Sequence, residues 1–167
     1  MEKSLELTNQ QIAGTYNALS AKSDAKNTIY NMFRVMNRKE LETIATPIVE
    51  TDNMLKSILQ PFHKERNDLL TKYATKDDKG NPVIKKQTEN YMEYDITPEN
   101  IVLLNEETEK LKAEKFKEDF EKFEAEKQKF DVILKEKQTV KLKTIKKSDL
   151  PNDLDDNIIE FIFDLIE

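Results

Sequence analysis

The chain has 167 residues, of which 37% are apolar and 36% charged, and it carries a net charge of −6. Because domains of about 100 to 200 residues are typical, this length predicts one domain, and the similar apolar and charged fractions predict a thin, elongated core. With only 2 glycines and no cysteine, the composition excludes glycine-rich phosphate loops, disulfides and cysteine nucleophiles, and it favours long helices.

Short helices are predicted in the first part of the chain, residues 1–37. Thr8 stands three residues before Gln11, the spacing of a capping box, and apolar side chains then recur at helical intervals. This pattern predicts a helix at about 9–21. After a polar stretch at 20–24, a second periodic group predicts another short helix that ends before Asn37. The alternative is that both groups belong to one interrupted helix.

The strongest periodicity lies in residues 39–74, which are predicted to form one long amphipathic helix. Five apolar residues recur every seven positions: Leu41, Ile48, Leu55, Phe62 and Leu69. Each of two prolines removes an internal hydrogen bond, so kinks are expected at Pro47 and Pro61. The alternative is that Thr46 caps a new helix whose first residue is Pro47, with residues 39–45 forming a separate turn.

A chain reversal and a small β element are predicted after this helix. Gly80 lies among turn-forming residues and is the expected position with a positive φ angle; its neighbours are Asp77, Asp78, Asn81 and Pro82. Short apolar and alternating segments at 83–84 and 91–96 then predict a β hairpin or an extended arm.

Residues 98–136 are predicted to form a second long helix. Thr97 is the expected cap, Pro98 the first helical residue and Glu99 an acid in the first turn. Apolar residues recur along its length: Ile101, Leu104, Leu111, Phe116, Phe120, Phe123, Phe130 and Leu134. We expect it to pack antiparallel on residues 39–74, with positions 116, 120, 123 and 130 facing positions 48, 55, 62 and 69.

The last segment, residues 139–166, is predicted to form a strand and a terminal helix. Alternation and two threonines indicate a strand at 139–145, followed by a turn at 148–151. Seven of the nine residues at 158–166 are apolar, so the final helix is expected to be buried on most sides. Either a groove of the same chain covers this helix, or part of it contacts another chain. The candidate partner surface consists of Phe161, Phe163 and Ile166.

Charge is segregated at the carboxyl end. Residues 135–147 contain six lysines and one glutamate, a net charge of +5, whereas residues 148–167 contain seven acids and no base. One interpretation is structural: the lysines protect an edge strand, and Asp153, Asp155 and Asp156 favour the amino end of the final helix. The functional interpretation is that an acidic, apolar helix docks onto a partner or a second copy of the chain.

The sequence contains no pattern typical of catalysis or of metal binding. His63 is the only histidine, and the acidic residues around Gly80 do not have EF-hand spacing. Glu124 and Glu126 belong to a helix rich in Glu and Lys, which favours a solvated face over a nuclease metal site. The phenylalanines of the second helix are interpreted as core rather than as a stacking platform for nucleic acid. We therefore expect no enzymatic activity, no metal and no cofactor.

Three short stretches carry a pattern shared with a known group of proteins. They are Phe62-His63-Lys64-Glu65-Arg66-Asn67-Asp68-Leu69-Leu70-Thr71-Lys72-Tyr73, then Asp77-Asp78-Lys79-Gly80-Asn81, and Ser148-Asp149-Leu150-Pro151. Over roughly residues 40–167, the chain resembles uncharacterised small helical proteins of tailed bacteriophages. The resemblance implies a phage-encoded helical protein and carries over no functional residues.

The predicted fold is mainly α with a small β element. It consists of a long, kinked antiparallel helical hairpin, a short β hairpin and a C-terminal apolar helix, in a single elongated domain over residues 1–167.

The expected function is non-enzymatic and depends on protein–protein contacts, as a structural, assembly or accessory factor. The alternative is an inhibitor of a host enzyme or defence nuclease. The expected partner is a phage or host protein or a second copy of the chain. Nucleic acid is disfavoured by the negative net charge, and a membrane because no segment reaches the ~20 apolar residues of a membrane span. Without a signal-peptide pattern, the expected location is the cytoplasm, that of the host if the chain is phage-encoded.

Overall fold

The computed structural model describes residues 1–21, 27–88 and 91–167, without the side chain of Tyr91. The polar interruption expected at 20–24 therefore lies mostly outside the described residues. The helices are α1 (Asn9–Ser20), α2 (Thr28–Ile58), α3 (Gln60–Tyr73), α4 (Pro98–Glu114), α5 (Lys117–Lys135) and α6 (Asp156–Ile162). The strands are β1 (Glu2–Thr8), β2 (Ile84–Thr88), β3 (Tyr91–Tyr94) and β4 (Lys137–Lys143). These elements confirm a mainly α fold with a small β element.

The chain divides into two compact units. Unit 1 comprises Met1–Met54 and Gln128–Glu167, and unit 2 comprises Leu55–Lys127. Unit 1 contains the β1–β4 sheet with α1 and α6, whereas unit 2 contains α3, α4 and the β2–β3 hairpin.

Strand β1 has no counterpart among the sequence-based predictions, which placed only helices in residues 1–37. It pairs antiparallel with β4 over its whole length, from Glu2 opposite Lys143 to Thr8 opposite Lys137. Strand pairing depends on a partner that is remote in the chain, so the short alternation around Leu5 and Leu7 was a weak local signal. Strand β4 confirms the strand predicted at 139–145, although it begins at Lys137 and ends at Lys143.

Helix α1 begins as predicted. The Thr8 hydroxyl accepts a hydrogen bond from the Gln11 backbone N–H at 3.2 Å, and the Thr8 N–H donates to the Gln11 side chain at 2.9 Å. Both bonds of a capping box are therefore present. Because Thr8 is also the last residue of β1, the box marks the point where the strand becomes a helix.

Helix α2 differs from the sequence-based prediction in two respects. It runs without interruption from Thr28 to Ile58, so no short helix ends before Asn37 and Pro47 does not begin a new one. The Asn37 side chain is fully buried and hydrogen-bonded to the backbone of Lys143, which satisfies its amide within the helix. Leu41, Ala45 and Ile48 are buried on both sides of Pro47, and this burial offsets the ~3 kcal/mol that an internal proline costs.

The predicted helix at 39–74 ends and restarts at Leu59, which precedes α3. Pro61 lies in the first turn of α3, where its missing N–H needs no partner within the helix. The predicted stripe is nevertheless largely buried: Leu41, Ile48, Leu55 and Phe62 are buried, and Leu69 is half-buried.

The predicted helix at 98–136 is also two helices, because α4 ends at Glu114 and α5 begins at Lys117. At the junction the Phe116 N–H donates to the Leu111 carbonyl, five residues back, at 3.3 Å. Phe116 is buried there. The predicted start is confirmed, since the Thr97 hydroxyl accepts from the Asn100 N–H at 3.3 Å and Pro98 opens the helix.

Within unit 2, α3 and α4 run antiparallel. Ion pairs join Lys72 to Glu107 at 2.8 Å and Lys115 to Glu65 at 2.5 Å. The Phe62 ring packs edge-on against Phe116 and Phe120, with centroid distances of 5.7 and 4.9 Å. This part of the predicted pairing between the two apolar stripes is therefore confirmed.

The core of unit 1 combines residues from distant parts of the chain. Helices α1, α2 and α6 and strand β4 all contribute, together with the segment after α6. The largest hydrophobic side chains that are almost completely buried are Ile12, Leu19, Tyr30, Leu41, Leu142, Ile162 and Leu165.

The chain reversal in unit 2 is the turn that was predicted around Gly80. The Asp77 carboxylate accepts from the backbone N–H groups of Lys79 at 2.9 Å and Asn81 at 2.8 Å, and these bonds hold the pKa of Asp77 below its ordinary value. Gly80 has a φ angle of 81°. The turn leads into the antiparallel β2–β3 hairpin, which confirms the predicted hairpin. Residues 89–90 of the polar tract between these strands lie outside the described residues.

Replacing Gly80 with alanine is expected to destabilise this turn. A methyl group at this position would meet no atom within 4 Å, so the cost is that of a left-handed backbone carrying a Cβ, about 1 kcal/mol. Urea denaturation followed by circular dichroism would measure it. Lys79→Ala, in the same turn, is the control and should leave stability almost unchanged; equal stability of both variants would contradict the prediction.

Candidate functional site

The terminal helix is shorter than predicted. Helix α6 ends at Ile162, and the residues from Phe163 to Leu165 form a 3₁₀ turn. Ile162 is 0% exposed and Leu165 2% exposed, because both enter the core of unit 1. By contrast, Phe161 is 46% exposed and Phe163 is 69% exposed. The segment is therefore not buried on most sides, because buried and exposed apolar residues alternate along the chain.

Phe161 lies against helix α1 at Gly14. A Cβ atom at Gly14 would come closer to the Phe161 ring than van der Waals contact permits. The Phe161 carbonyl also accepts a hydrogen bond from the Thr15 hydroxyl at 3.4 Å. One edge of the ring is thus held by α1, while nearly half of the side chain faces solvent.

Ile166 occupies a different position from the two phenylalanines. It forms a parallel bridge with Ile145, in which the Ile145 N–H donates to the Leu165 carbonyl at 2.9 Å and the Glu167 N–H donates to Ile145 at 2.8 Å. Its side chain is half-buried against the core of unit 1. Of the three candidate partner residues, Phe161 and Phe163 are therefore the ones with exposed side chains, partly for Phe161 and mostly for Phe163.

Acidic side chains surround these rings. The carboxylates of the terminal segment are exposed, and none forms a salt bridge with another residue that the structure describes; they belong to Asp153, Asp155, Asp156, Glu160, Asp164 and Glu167. The Asp155 side chain accepts from the Asn157 N–H at 2.8 Å and caps α6, as the structural interpretation predicted.

The lysines of β4 are partly neutralised by β1. Lys137 pairs with Glu6 at 3.3 Å and Lys143 with Glu2 at 2.5 Å, and the Lys143 ammonium lowers the pKa of Glu2. Because β1 was not predicted, the sequence pattern overstated the free positive charge in this part of the chain. Among the residues that the structure describes, the acids of the terminal segment have no comparable salt-bridge partners.

A small cavity of about 210 Å³ lies beside Phe161. Leu142 and Leu165, which are buried, and Leu5 and Leu7, which are half-buried, supply its apolar lining. The exposed residues that border it are Gln11, Glu160, Phe161 and Asp164. No sequence signal indicated this cavity, because its lining comes from both ends of the chain.

A larger cavity of about 930 Å³ lies in unit 2, along α3 and α4. Three lysines and four acids line it, and the described lining residues include no histidine, cysteine or serine. Lys72, nearby, lowers the pKa of Glu107 and has its own pKa raised by that carboxylate. This ion pair is therefore formed at neutral pH and is lost as acid protonates Glu107 or as strong base deprotonates Lys72. The Lys72–Glu107 and Lys115–Glu65 bridges therefore link the two helices through exposed ion pairs, each of which contributes little to stability.

The residues that the sequence analysis considered for catalysis or nucleic-acid stacking lie in surroundings typical of surface or core side chains. His63 is exposed and packs its ring edge against Phe62, at a centroid distance of 5.6 Å. Phe116 and Phe120 pack on Phe62, whereas Phe123 is half-buried. No group of three or more His, Cys, Asp or Glu side chains is arranged to hold a metal ion within residues 1–21, 27–88 and 91–167.

Comparison with protein-family models, with curated proteins and with solved structures finds no match to this chain. Within the described ranges, none of the helices has the length and apolar character needed to cross a membrane.

Proposed function

We propose that this chain is a non-enzymatic, phage-type protein that acts in the host cytoplasm by binding another protein through its carboxyl-terminal segment. The observation that supports this proposal is the exposure of Phe161 and Phe163 next to Ile162 and Leu165, which are almost completely buried. Exposed aromatic side chains on a folded surface are typical of protein interaction sites. The resemblance to small phage proteins supports the origin.

A structural, assembly or accessory role is the first candidate. An inhibitor of a host enzyme or defence nuclease is the second, and the observation that favours it is the set of exposed carboxylates without salt-bridge partners among the described residues. Such a surface is complementary to a basic cleft that binds nucleic acid.

The proposal is tested by an affinity capture experiment that compares wild type with a variant at Phe163. Wild type and Phe163→Asp would be immobilised and exposed to lysate of phage-infected cells. We expect one protein to be retained by wild type and lost by the variant, because a charge in the centre of an apolar contact is strongly unfavourable. Since the side chain is 69% exposed, the variant should remain folded by circular dichroism.

The matched control is Val102→Asp, which changes an exposed apolar residue of unit 2 in the same way. Retention of the same protein by Phe163→Asp, or its loss with Val102→Asp, would contradict the proposed surface. A captured phage morphogenesis protein would favour assembly, and a host nuclease or polymerase would favour inhibition. Light scattering of wild type and Phe163→Asp shows whether the partner is a second copy.

A further inference from the structure

We infer that the partner of this surface is a basic amphipathic protein segment, which inserts one apolar side chain into the cavity beside Phe161 and places lysine or arginine side chains against Glu160 and Asp164. This inference rests on the proposed function and deepens it, because it specifies the chemistry of the partner.

The size of the cavity favours a single side chain. Pockets for small molecules and cofactors typically have volumes of about 300–1,000 Å³. The cavity beside Phe161 has only about 210 Å³; four leucines and Phe161 supply its apolar lining, and Gln11, Thr15, Glu160 and Asp164 supply its polar lining. Such a space suits one leucine or phenylalanine side chain that projects from a larger partner.

Phe161 and Phe163 extend the apolar surface beyond the cavity. The Phe161 ring forms part of the cavity lining and is held on one edge by α1 at Gly14. Phe163, two residues further along the chain, is 69% exposed. A partner with a single apolar residue would leave this second ring in water, whereas an amphipathic helix or strand presents several apolar side chains on one face.

Charge complementarity identifies the other face of the partner as basic. Glu160 and Asp164 border the cavity with exposed carboxylates that form no salt bridge with a described residue. The Lys3 ammonium group donates at 2.9 Å to the backbone carbonyl of Asp164 and not to its carboxylate. Residues 148–167 contain no base at all.

The same charges disfavour a symmetric pairing of two copies. In a two-fold contact the same surface meets itself, so the acids of one terminal segment would face those of the other. Like charges placed opposite each other across an interface are unfavourable. A basic segment of another protein has no such repulsion.

The test measures binding of a defined probe. This probe is a fluorescent peptide of ~14 residues that places leucines on one face of a helix and lysines on the opposite face. Fluorescence anisotropy would be measured with the full chain. We expect saturable binding at about 0.05 M sodium chloride that weakens by about tenfold at about 0.5 M, because salt screens exposed charges. The same peptide with glutamate in place of lysine should not bind.

Three variants locate the site. Glu160→Gln combined with Asp164→Asn should weaken binding by about fivefold, since two exposed charge pairs are lost. Glu106→Gln combined with Glu109→Gln removes the same charge from exposed positions of α4 and should bind like wild type. Gly14→Ala displaces the Phe161 ring without changing any charge and should weaken binding as well.

Three results would overturn the inference: equal affinity of the two double variants for the lysine peptide, binding of the glutamate peptide as tightly as the lysine peptide, or no binding of either peptide. A wild-type dimer in light scattering that dissociates in Phe163→Asp would overturn it too, because the occupant would then be a second copy. If the peptide fails to bind while Phe163→Asp still loses its captured protein, this inference fails and the proposed function stands.

Discussion

Replacing Phe62 with alanine is expected to lower the free energy of unfolding by about 3 to 5 kcal/mol. The Phe62 side chain is buried, and its ring lies 5.7 Å from that of Phe116 and 4.9 Å from that of Phe120. Truncation removes the apolar surface of one ring together with its two edge-on contacts and leaves a cavity beside Phe116 and Phe120. Urea denaturation followed by circular dichroism measures the effect.

The control for this prediction is Phe163→Ala, which removes the same side chain from an exposed position. Its effect on stability should stay within about 0.5 kcal/mol, as is usual for surface substitutions. Unfolding of Phe62→Ala at the same urea concentration as wild type would mean that the three rings do not form the core of unit 2.

The second large effect is expected for Asn37→Ala. The Asn37 side-chain amide donates to the Lys143 carbonyl at 3.0 Å, and the Lys143 N–H donates to the Asn37 side-chain oxygen at 2.6 Å. Alanine leaves both backbone groups of Lys143 without this partner at the end of β4. A buried polar group without a partner costs about 1 to 3 kcal/mol, so the variant should lose about 2 to 4 kcal/mol.

Asn67→Ala is the matched control, because Asn67 is an exposed asparagine within helix α3. Thermal unfolding of both variants beside wild type should show a large decrease in Tm for Asn37→Ala and little change for Asn67→Ala. Similar melting of the two variants would show that the hydrogen bonds between Asn37 and Lys143 contribute nothing to stability.

The candidate surface was only partly accessible to sequence reasoning. Seven apolar residues within 158–166 predicted that either a groove of the same chain or another chain covers this segment, and two of the three residues named for the second case, Phe161 and Phe163, have exposed side chains. The cavity beside Phe161 was not predicted. Its lining includes residues of β1, and β1 forms only because β4 supplies a pairing partner.

The end of α6 is a second feature that the sequence did not predict. The candidate partner surface predicted for a terminal helix over 158–166 included both Phe161 and Ile166. The backbone instead leaves the helix after Ile162, and Ile166 pairs with Ile145. That bridge satisfies backbone groups of both segments, which a longer helix could not do for Ile145.

The sequence by itself determined the features that depend on neighbours within a few residues. The capping box of Thr8, the cap at Thr97 and the turn at Gly80 are decided by local hydrogen bonds and backbone angles, and the heptad stripe follows from helical periodicity. The tertiary structure decided the strand β1, the unbroken helix through Asn37, the break at Phe116 and the cavity at Phe161. These features depend on contacts between residues far apart in the chain, such as the 106 positions that separate Asn37 from Lys143, and local pattern does not encode which remote partner satisfies a given group.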